Sequence, residues 1–380
     1  MEQFFNEARK LIAIIRSAVN NQQKSDLLIG DQKELELVYQ YARRNNLQTF
    51  VDYYAMNNSI NPEAFFDDLL QSLAFLEWQN CVAERITNML AGNHIRHILV
   101  KGETLRRYYP ERWMRLSSDI DILIPFADKK KAIECIEEKC GYGIINGKIV
   151  GEPGEIYIDI KTTLGVPNHF YYVKTVYEKV WENTIKEGSG RLVLNDEMEY
   201  FNTIVHALKH LENGGCGLAH ILDIWILNHM KDEAKTNQDR RNKLLIEAEI
   251  KKAEEVLVGI SEEWFSGVPC NNKYSELEKY IINGSAFGNN RNKAMAIQSE
   301  KGKIGFAINQ VFVPYKYLKQ LFPQIEGKHW LLPIYEVYRW LYHIKKSGLK
   351  GIVRHFHEAF SYDRKEVDLV QKMMKQLFED

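Results

Sequence analysis

Over the first ninety or so positions, apolar residues recur at steps of three and four. They do so in QKELELVYQYARRNN and in AFFDDLLQSLAFLEWQNCVAERITNMLAGN. This spacing predicts amphipathic helices, with Gly92-Asn93 as the stop of the second. The period changes at Ile95. IRHILV (95–100) is short, apolar and β-branched and reads as a strand, and GETLRRYY reads as a short helix opened by Gly102 and closed by Pro110. DIDILI (119–124) is a second strand. ADKKKAIECIEEKCG (127–141) is an amphipathic helix ending in glycine. YGIINGKIV contains Asn146-Gly147, a tight-hairpin signal, and EIYIDIKTTL (155–164) alternates as a third strand. From RLVLNDEMEYFNTIVHALKHL onward the chain is helical again. Asn195 or Asp196 is the expected N-cap, with Glu199 three residues beyond Asp196 as a capping box. Further helices are expected at 217–230, 236–258, 274–282 and across much of 300–380. The pattern divides the chain into an N-terminal helical region (1–94), an α/β core (95–190) and a C-terminal helical domain (191–380).

The second strand opens on two carboxylates. Residues two apart on a strand share a face, so Asp119 and Asp121 project together while Ile120, Ile122 and Ile124 face the core. Two close carboxylates repel, and a divalent cation relieves the repulsion; magnesium is commonly held by one or two carboxylates together with substrate phosphates. Asp159, flanked by Ile158 and Ile160 on the third strand, is the natural third member. Three carboxylates suit a two-metal site, so two magnesium ions are expected during turnover. In haloacid-dehalogenase-like phosphatases and many sugar-nucleotide glycosyltransferases, the paired aspartates follow an apolar strand. Here polar RLSS precedes them and the apolar run comes after, which disfavours both alternatives.

Composition narrows the partners. With 50 basic and 51 acidic residues the chain has no basic excess, which argues against a polynucleotide partner. The five cysteines are odd in number and scattered, so neither a disulfide framework nor a zinc knuckle is expected, and a cytoplasmic location fits. Charges interrupt the apolar residues of the N-terminus, and no apolar run reaches the roughly 18 residues of a membrane span.

Lys101 and Gly102 follow the first strand and open a helix, where free N–H groups and a close backbone approach suit a phosphate. Arg115 could clamp phosphates bidentately. His206 and His210, four apart, share a helix face. They either pack that helix on the core or touch phosphate or acceptor. Neither an intervening Glu nor a third ligand is evident, which disfavours zinc.

VKGETLRRYYPERWMRLSSDIDILI (100–124) resembles the signature of an uncharacterised bacterial nucleotidyltransferase family in the polymerase-β-like superfamily. The residues that carry the resemblance are Lys101-Gly102, Leu105, Tyr109-Pro110, Arg115 and Asp119-Ile120-Asp121. Asp159, HALKHL (His206, Lys209, His210), HILDIWIL (Asp223) and FVPYKYLKQLFPQIEGKHWLLPIYEVYRWLY extend it from about residue 30 to 345. The superfamily's usual Gly-Ser is Lys-Gly here, the gap from Gly102 to Asp119 is longer than in minimal members, and Lys161 stands where relatives often carry a histidine. NGSAFG (283–288) mimics Gly-Ser but no D-x-D strand follows. The resemblance implies an α+β fold, a small mixed-sheet core flanked by helical regions. It also implies transfer of a nucleoside monophosphate from a magnesium-bound triphosphate to a small-molecule, sugar or peptide acceptor. Asp119, Asp121 and Asp159 would be catalytic and metal-binding. Lys101, Gly102, Arg115, Lys161, His206 and His210 would bind the nucleotide. The alternative is a catalytically silent version of the fold, serving as a nucleotide sensor or toxin–antitoxin partner.

Overall fold

The computed structural model describes residues 4–21, 29, 32–58, 60, 62–145, 148–151, 156–167, 170–187, 191–229, 237–268, 274–285, 288 and 291–299. It then describes 302, 315, 318, 322–325, 327–341 and 364–378. The chain forms two compact units, Met1–Gly288 and Asn289–Asp380. In the second, the described residues are largely helical, including 291–299, 332–341 and Arg364–Phe378, and Arg291 pairs with Glu366. Most of FVPYKYLKQLFPQIEGKHWLLPIYEVYRWLY before Phe322, the Asn146-Gly147 turn and part of NGSAFG lie outside the described residues.

The first unit opens with four helices: α1 (Phe5–Val19), α2 (Gln32–Arg44), α3 (Gln48–Asn57) and α4 (Pro62–Gly92). The sheet elements follow with interleaved helices: β1 (Ile98–Val100), α5 (Gly102–Leu105), β2 (Asp119–Leu123), α6 (Lys129–Cys140), β3 (Gly143–Ile145), β4 (Lys148–Gly151) and β5 (Ile156–Lys161). Next come α7 (Val173–Glu178), the strands β6 (Thr184–Glu187) and β7 (Arg191–Leu194), and the helices α8 (Asp196–Glu212), α9 (Gly217–His229), α10 (Gln238–Glu247), α11 (Lys251–Ser261) and α12 (Ser275–Asn283). The fold is therefore α+β, a small mixed sheet among flanking helices, as expected.

The five strands lie in the order β1-β2-β5-β4-β3. β2 and β5 are parallel and the other neighbours antiparallel. The chain leaves β2 through α6 and the β3–β4 hairpin, then returns as β5 alongside β2. The alternation of DIDIL and IYIDIK decides the faces. Ile120, Ile122, Ile124, Ile156, Ile158 and Ile160 join one buried cluster with Val82, Ile86 and Leu90 of α4 and Ala132 and Ile136 of α6. The polar positions of both strands are turned the other way. Gly141, at φ +70, ends α6 in the left-handed conformation that glycine adopts without a Cβ clash.

One local expectation is met and others are corrected. The N-cap of α8 is Asn195, whose side chain accepts from Met198 N. Glu199 closes no capping box; it accepts instead from Tyr108 Oη (2.6 Å) and Arg107 (3.1 Å). The helix expected over 236–258 is two helices, α10 and α11, broken at Glu249, which sits at φ +56. The β6–β7 hairpin was not anticipated, because TIKE and RLVL are four-residue strands with little alternation to read. Among the described residues no helix is long and apolar enough to cross a membrane.

Candidate active site

Parallel pairing of β2 with β5 places Asp121 directly beside Asp159, Asp119 beside Tyr157 and Leu123 beside Lys161. Asp121 and Asp159 therefore stand on the same face of adjacent strands, with Asp119 one step up β2. This polar face borders a cavity of about 270 Å³. Helices complete the walls: α5 contributes Gly102 and Leu105, α8 contributes Asn202, Thr203, His206, Lys209 and His210, and α9 contributes His220 and Asp223. Lys101, Gly102, Arg115, Asp119, Asp121, Asp159, Lys161, His206 and His210 all line this one cavity.

The charges inside it are already paired. Asp121, 3 % exposed, receives Lys101 Nζ at 2.5 Å on one oxygen and the Lys161 ammonium on the other. Lys161 also lies 3.3 Å from Asp159, whose side chain is 40 % exposed. Burial pushes the Asp121 carboxyl up, but Lys101 and Lys161 together outweigh it and hold the group below its ordinary value. Burial pulls Lys101 down and Asp121 restores only part of that. Lys161 is opposed by burial too, yet two carboxylates hold it above its ordinary value. The three carboxylates do not converge on one point: among the described residues, no group of three includes them with donor atoms within 4.8 Å of one another.

Lys101 makes its contact from an unusual backbone, φ +64 and ψ −126. The helix that follows has four residues, too short for the N-terminal anion site expected of it. Gly102 has a different reason to be glycine. A Cβ there would lie 2.7 Å from Ser117 Cβ.

Arg115 is not free to clamp phosphate with its fork. Nε and one terminal nitrogen donate to the two oxygens of Asp223 at 2.7 and 2.9 Å, and the other terminal nitrogen donates to Leu116 O. Tyr109 Oη donates to the same Asp223 at 2.6 Å. This buried bidentate pair ties the segment before β2 to α9.

A second brace was not visible in the sequence. Arg106, fully buried, donates from Nε to Arg115 O at 2.9 Å and from a terminal nitrogen to Ser117 Oγ at 2.6 Å, and pairs with Glu103. Gln79 of α4 donates to Ser117 O at 3.3 Å and to Asp119 O at 3.4 Å. Together these groups fix the approach to the D-x-D strand.

His206 and His210 do share a helix face, and their rings stack with centroids 4.5 Å apart. The structure adds His220 from the first turn of α9, 5.1 Å from His206 and 4.6 Å from His210. Burial, reinforced by His220 and Lys101, lowers His210 to about 2; burial, reinforced by Lys101, His220 and His210, lowers His206 well below its ordinary value. Burial and Arg115 lower His220 to about 3. Each of these shifts favours the neutral ring. His220 opens HILDIWIL, an apolar helical run whose spacing carries no sign of contact with HALKHL.

Residues 81–266 match the family described as uncharacterised nucleotidyltransferase. The match is narrower than the resemblance over 30–345, but it contains every residue that lines the cavity except Asn46. No curated protein and no solved structure matches the chain.

Proposed function

We propose that this chain transfers a nucleoside monophosphate from a nucleoside triphosphate to a hydroxyl or similar acceptor and releases pyrophosphate. The observation that carries this reading is the pairing of Asp121 with Asp159 across two parallel strands, beside Asp119, in a cavity also lined by Lys101, Lys161 and Lys209. The family match supports the reaction class. Hard carboxylate oxygens are the donors magnesium prefers, and Asp119, Asp121 and Asp159 would hold it. Bound there, magnesium would supply charge neutralisation on the phosphates. In the reaction the acceptor oxygen bonds to the α-phosphorus as the bond to the β-phosphate bridging oxygen breaks. The acceptor's proton passes to Asp159, the more exposed of the paired carboxylates. Lys101 and Lys161, now spent on Asp121, would turn to phosphate oxygens as the carboxylates take the cation. The rest is positioning: Arg106, Gln79 and the Arg115–Asp223 pair hold the strand that carries the carboxylates.

Room for the acceptor lies next door. A cavity of about 440 Å³ shares Asn46, Ser117 and Ser118 with the first and is walled by Tyr39, Arg43, Asp68 and Gln71. Its polar lining and size suit a small molecule, a sugar or the end of a peptide.

The double lysine clamp on Asp121 favours a second reading, a catalytically silent nucleotide sensor or toxin–antitoxin partner in which internal ammoniums take the cation's place. Magnesium-dependent pyrophosphate release, measured over a panel of triphosphates and small hydroxyl acceptors, separates the two. Triphosphate binding without turnover across the panel would favour the silent reading.

A further inference from the structure

Three imidazoles meet in the cavity wall, and nucleotidyl transfer by carboxylates has no use for three. His206 and His210 are one turn apart on α8, and His220 comes from the adjoining α9. One donor nitrogen from each lies within 4.8 Å of those of the other two. The rings ride on two helices packed against each other, so helix packing sets their spacing. Core histidines that serve only packing ordinarily find hydrogen-bond partners. Nδ1 of His206 is buried and has none among the described residues.

We propose that His206, His210 and His220 hold a divalent transition-metal ion of zinc's donor class, with the fourth coordination position open to the cavity. Three imidazole nitrogens and one exchangeable oxygen form the donor set of reactive zinc sites. Imidazole selects zinc, copper, iron or nickel, whereas magnesium takes oxygen, so this site and the carboxylate face would not compete for one ion. Zinc–nitrogen bonds are about 2.0–2.1 Å long, so the three rings would turn to aim their donors at one ion. The charged groups facing the cluster are Lys101, Lys161, Lys209 and Arg115. Lys101 is paired with Asp121 and Arg115 with Asp223. A divalent ion held by three imidazoles keeps its full charge, so the exchangeable position is suited to a phosphate oxygen or hydroxide. The proposal does not depend on nucleotidyl transfer, because its test reads metal alone.

The test uses the full chain, stripped with a chelator and titrated with zinc by calorimetry in excess magnesium. Cobalt in place of zinc supplies an absorption spectrum that reports the ligand atoms. The expected result is one zinc per chain, undisturbed by magnesium, with a cobalt spectrum of nitrogen and oxygen ligation and no thiolate band. His210→Gln and His220→Gln should each weaken zinc at least about 100-fold, at or beyond the loss seen when an outer-shell partner is removed. Asp119→Asn should leave zinc affinity as it was. Should a histidine variant not fold, the wild-type cobalt spectrum and a zinc-dependent rise in melting temperature decide the matter. The proposal is overturned by an absence of saturable zinc binding, by a thiolate band, by unchanged affinity in the folded histidine variants, or by loss of zinc in Asp119→Asn.

Discussion

Lys101 Nζ lies 2.5 Å from Asp121 Oδ2, and Lys101 reaches it from φ +64, ψ −126, backbone that glycine adopts freely and lysine does not. A side chain with a Cβ held there costs on the order of 1–3 kcal/mol. The position holds lysine despite that cost, which supports a role for its charge in the proposed mechanism. Two substitutions separate the backbone from the charge. Lys101→Ala removes the ammonium and keeps the strain, whereas Lys101→Gly removes both. Lys101→Gly should therefore be the more stable of the two by about 1–3 kcal/mol in denaturant unfolding. Equal midpoints would mean that the loop relaxes around alanine and stores no strain.

Gly102→Ala tests the next residue. The added methyl would sit 2.7 Å from Ser117 Cβ, and Ser117 cannot readily yield because Arg106 and Gln79 both grip it. Overpacking of this kind costs about 1–3 kcal/mol. The displaced segment leads straight into Asp119, so metal-dependent nucleotide affinity should fall along with stability. A variant with wild-type stability and affinity would show that the close approach has slack.

The carboxylate face was legible because it is local. Alternation in DIDIL and IYIDIK assigns each residue to a face, and the isoleucines leave the aspartates only one direction. Parallel register between β2 and β5 is a tertiary fact, yet two polar-faced strands in one small unit made their pairing an economical expectation. What escaped are the partners of the charges. Arg106 and Gln79 meet across 27 positions, Lys161 and Asp121 across 40, and Arg115 and Asp223 across 108. No periodicity records such pairings. Arg115 reads alone as a phosphate clamp, and only the fold reveals the carboxylate that takes its fork. His220 escaped for the same reason: its ten-residue separation from His210 becomes contact only because α9 turns back along α8.

Asp52 offers a pH signature in a different part of the first unit. It is fully buried in α3, and neither of its oxygens has a hydrogen-bond partner among the described residues. Burial, helped by Asp68 and opposed by Arg43, raises its carboxyl to about 8. A carboxyl raised in the folded state favours folding while protonated in both states. That contribution is complete below the unfolded value near 4 and is lost as pH climbs toward 8, at up to ~1.4 kcal/mol per unit. Wild-type stability should fall over this window, and Asp52→Asn should flatten the fall. Melting temperatures of both proteins at pH 4, 6 and 8 provide the check. Parallel curves would remove Asp52 as the cause.

The last prediction separates binding from chemistry on the two paired strands. Asp121 is buried and gripped by two ammoniums, whereas Asp159 is 40 % exposed and touches only one of them. On the proposed mechanism Asp119 and Asp121 hold the cation that travels with the triphosphate, and Asp159 receives the acceptor's proton. Asp119→Asn and Asp121→Asn should abolish magnesium-dependent triphosphate binding; Asp119→Asn should leave the fold intact, whereas Asp121→Asn, which strips Lys101 and Lys161 of their buried counter-charge, should also cost stability. Asp159→Ala should retain much of the nucleotide affinity and lose turnover by several powers of ten, since proton transfer and charge stabilisation are each worth roughly a hundredfold or more. An interaction made chiefly in the transition state shows itself as this split, lower kcat at similar affinity. The paired measurement is calorimetric affinity for a non-hydrolysable triphosphate with magnesium, and pyrophosphate release under saturating nucleotide. Equal loss of affinity in Asp159→Ala and Asp119→Asn would make the carboxylates a single binding unit. Undiminished turnover in Asp159→Ala would leave Asp159 as a partner of Lys161 and nothing more, and would move the search for the base to the histidines of α8 and α9.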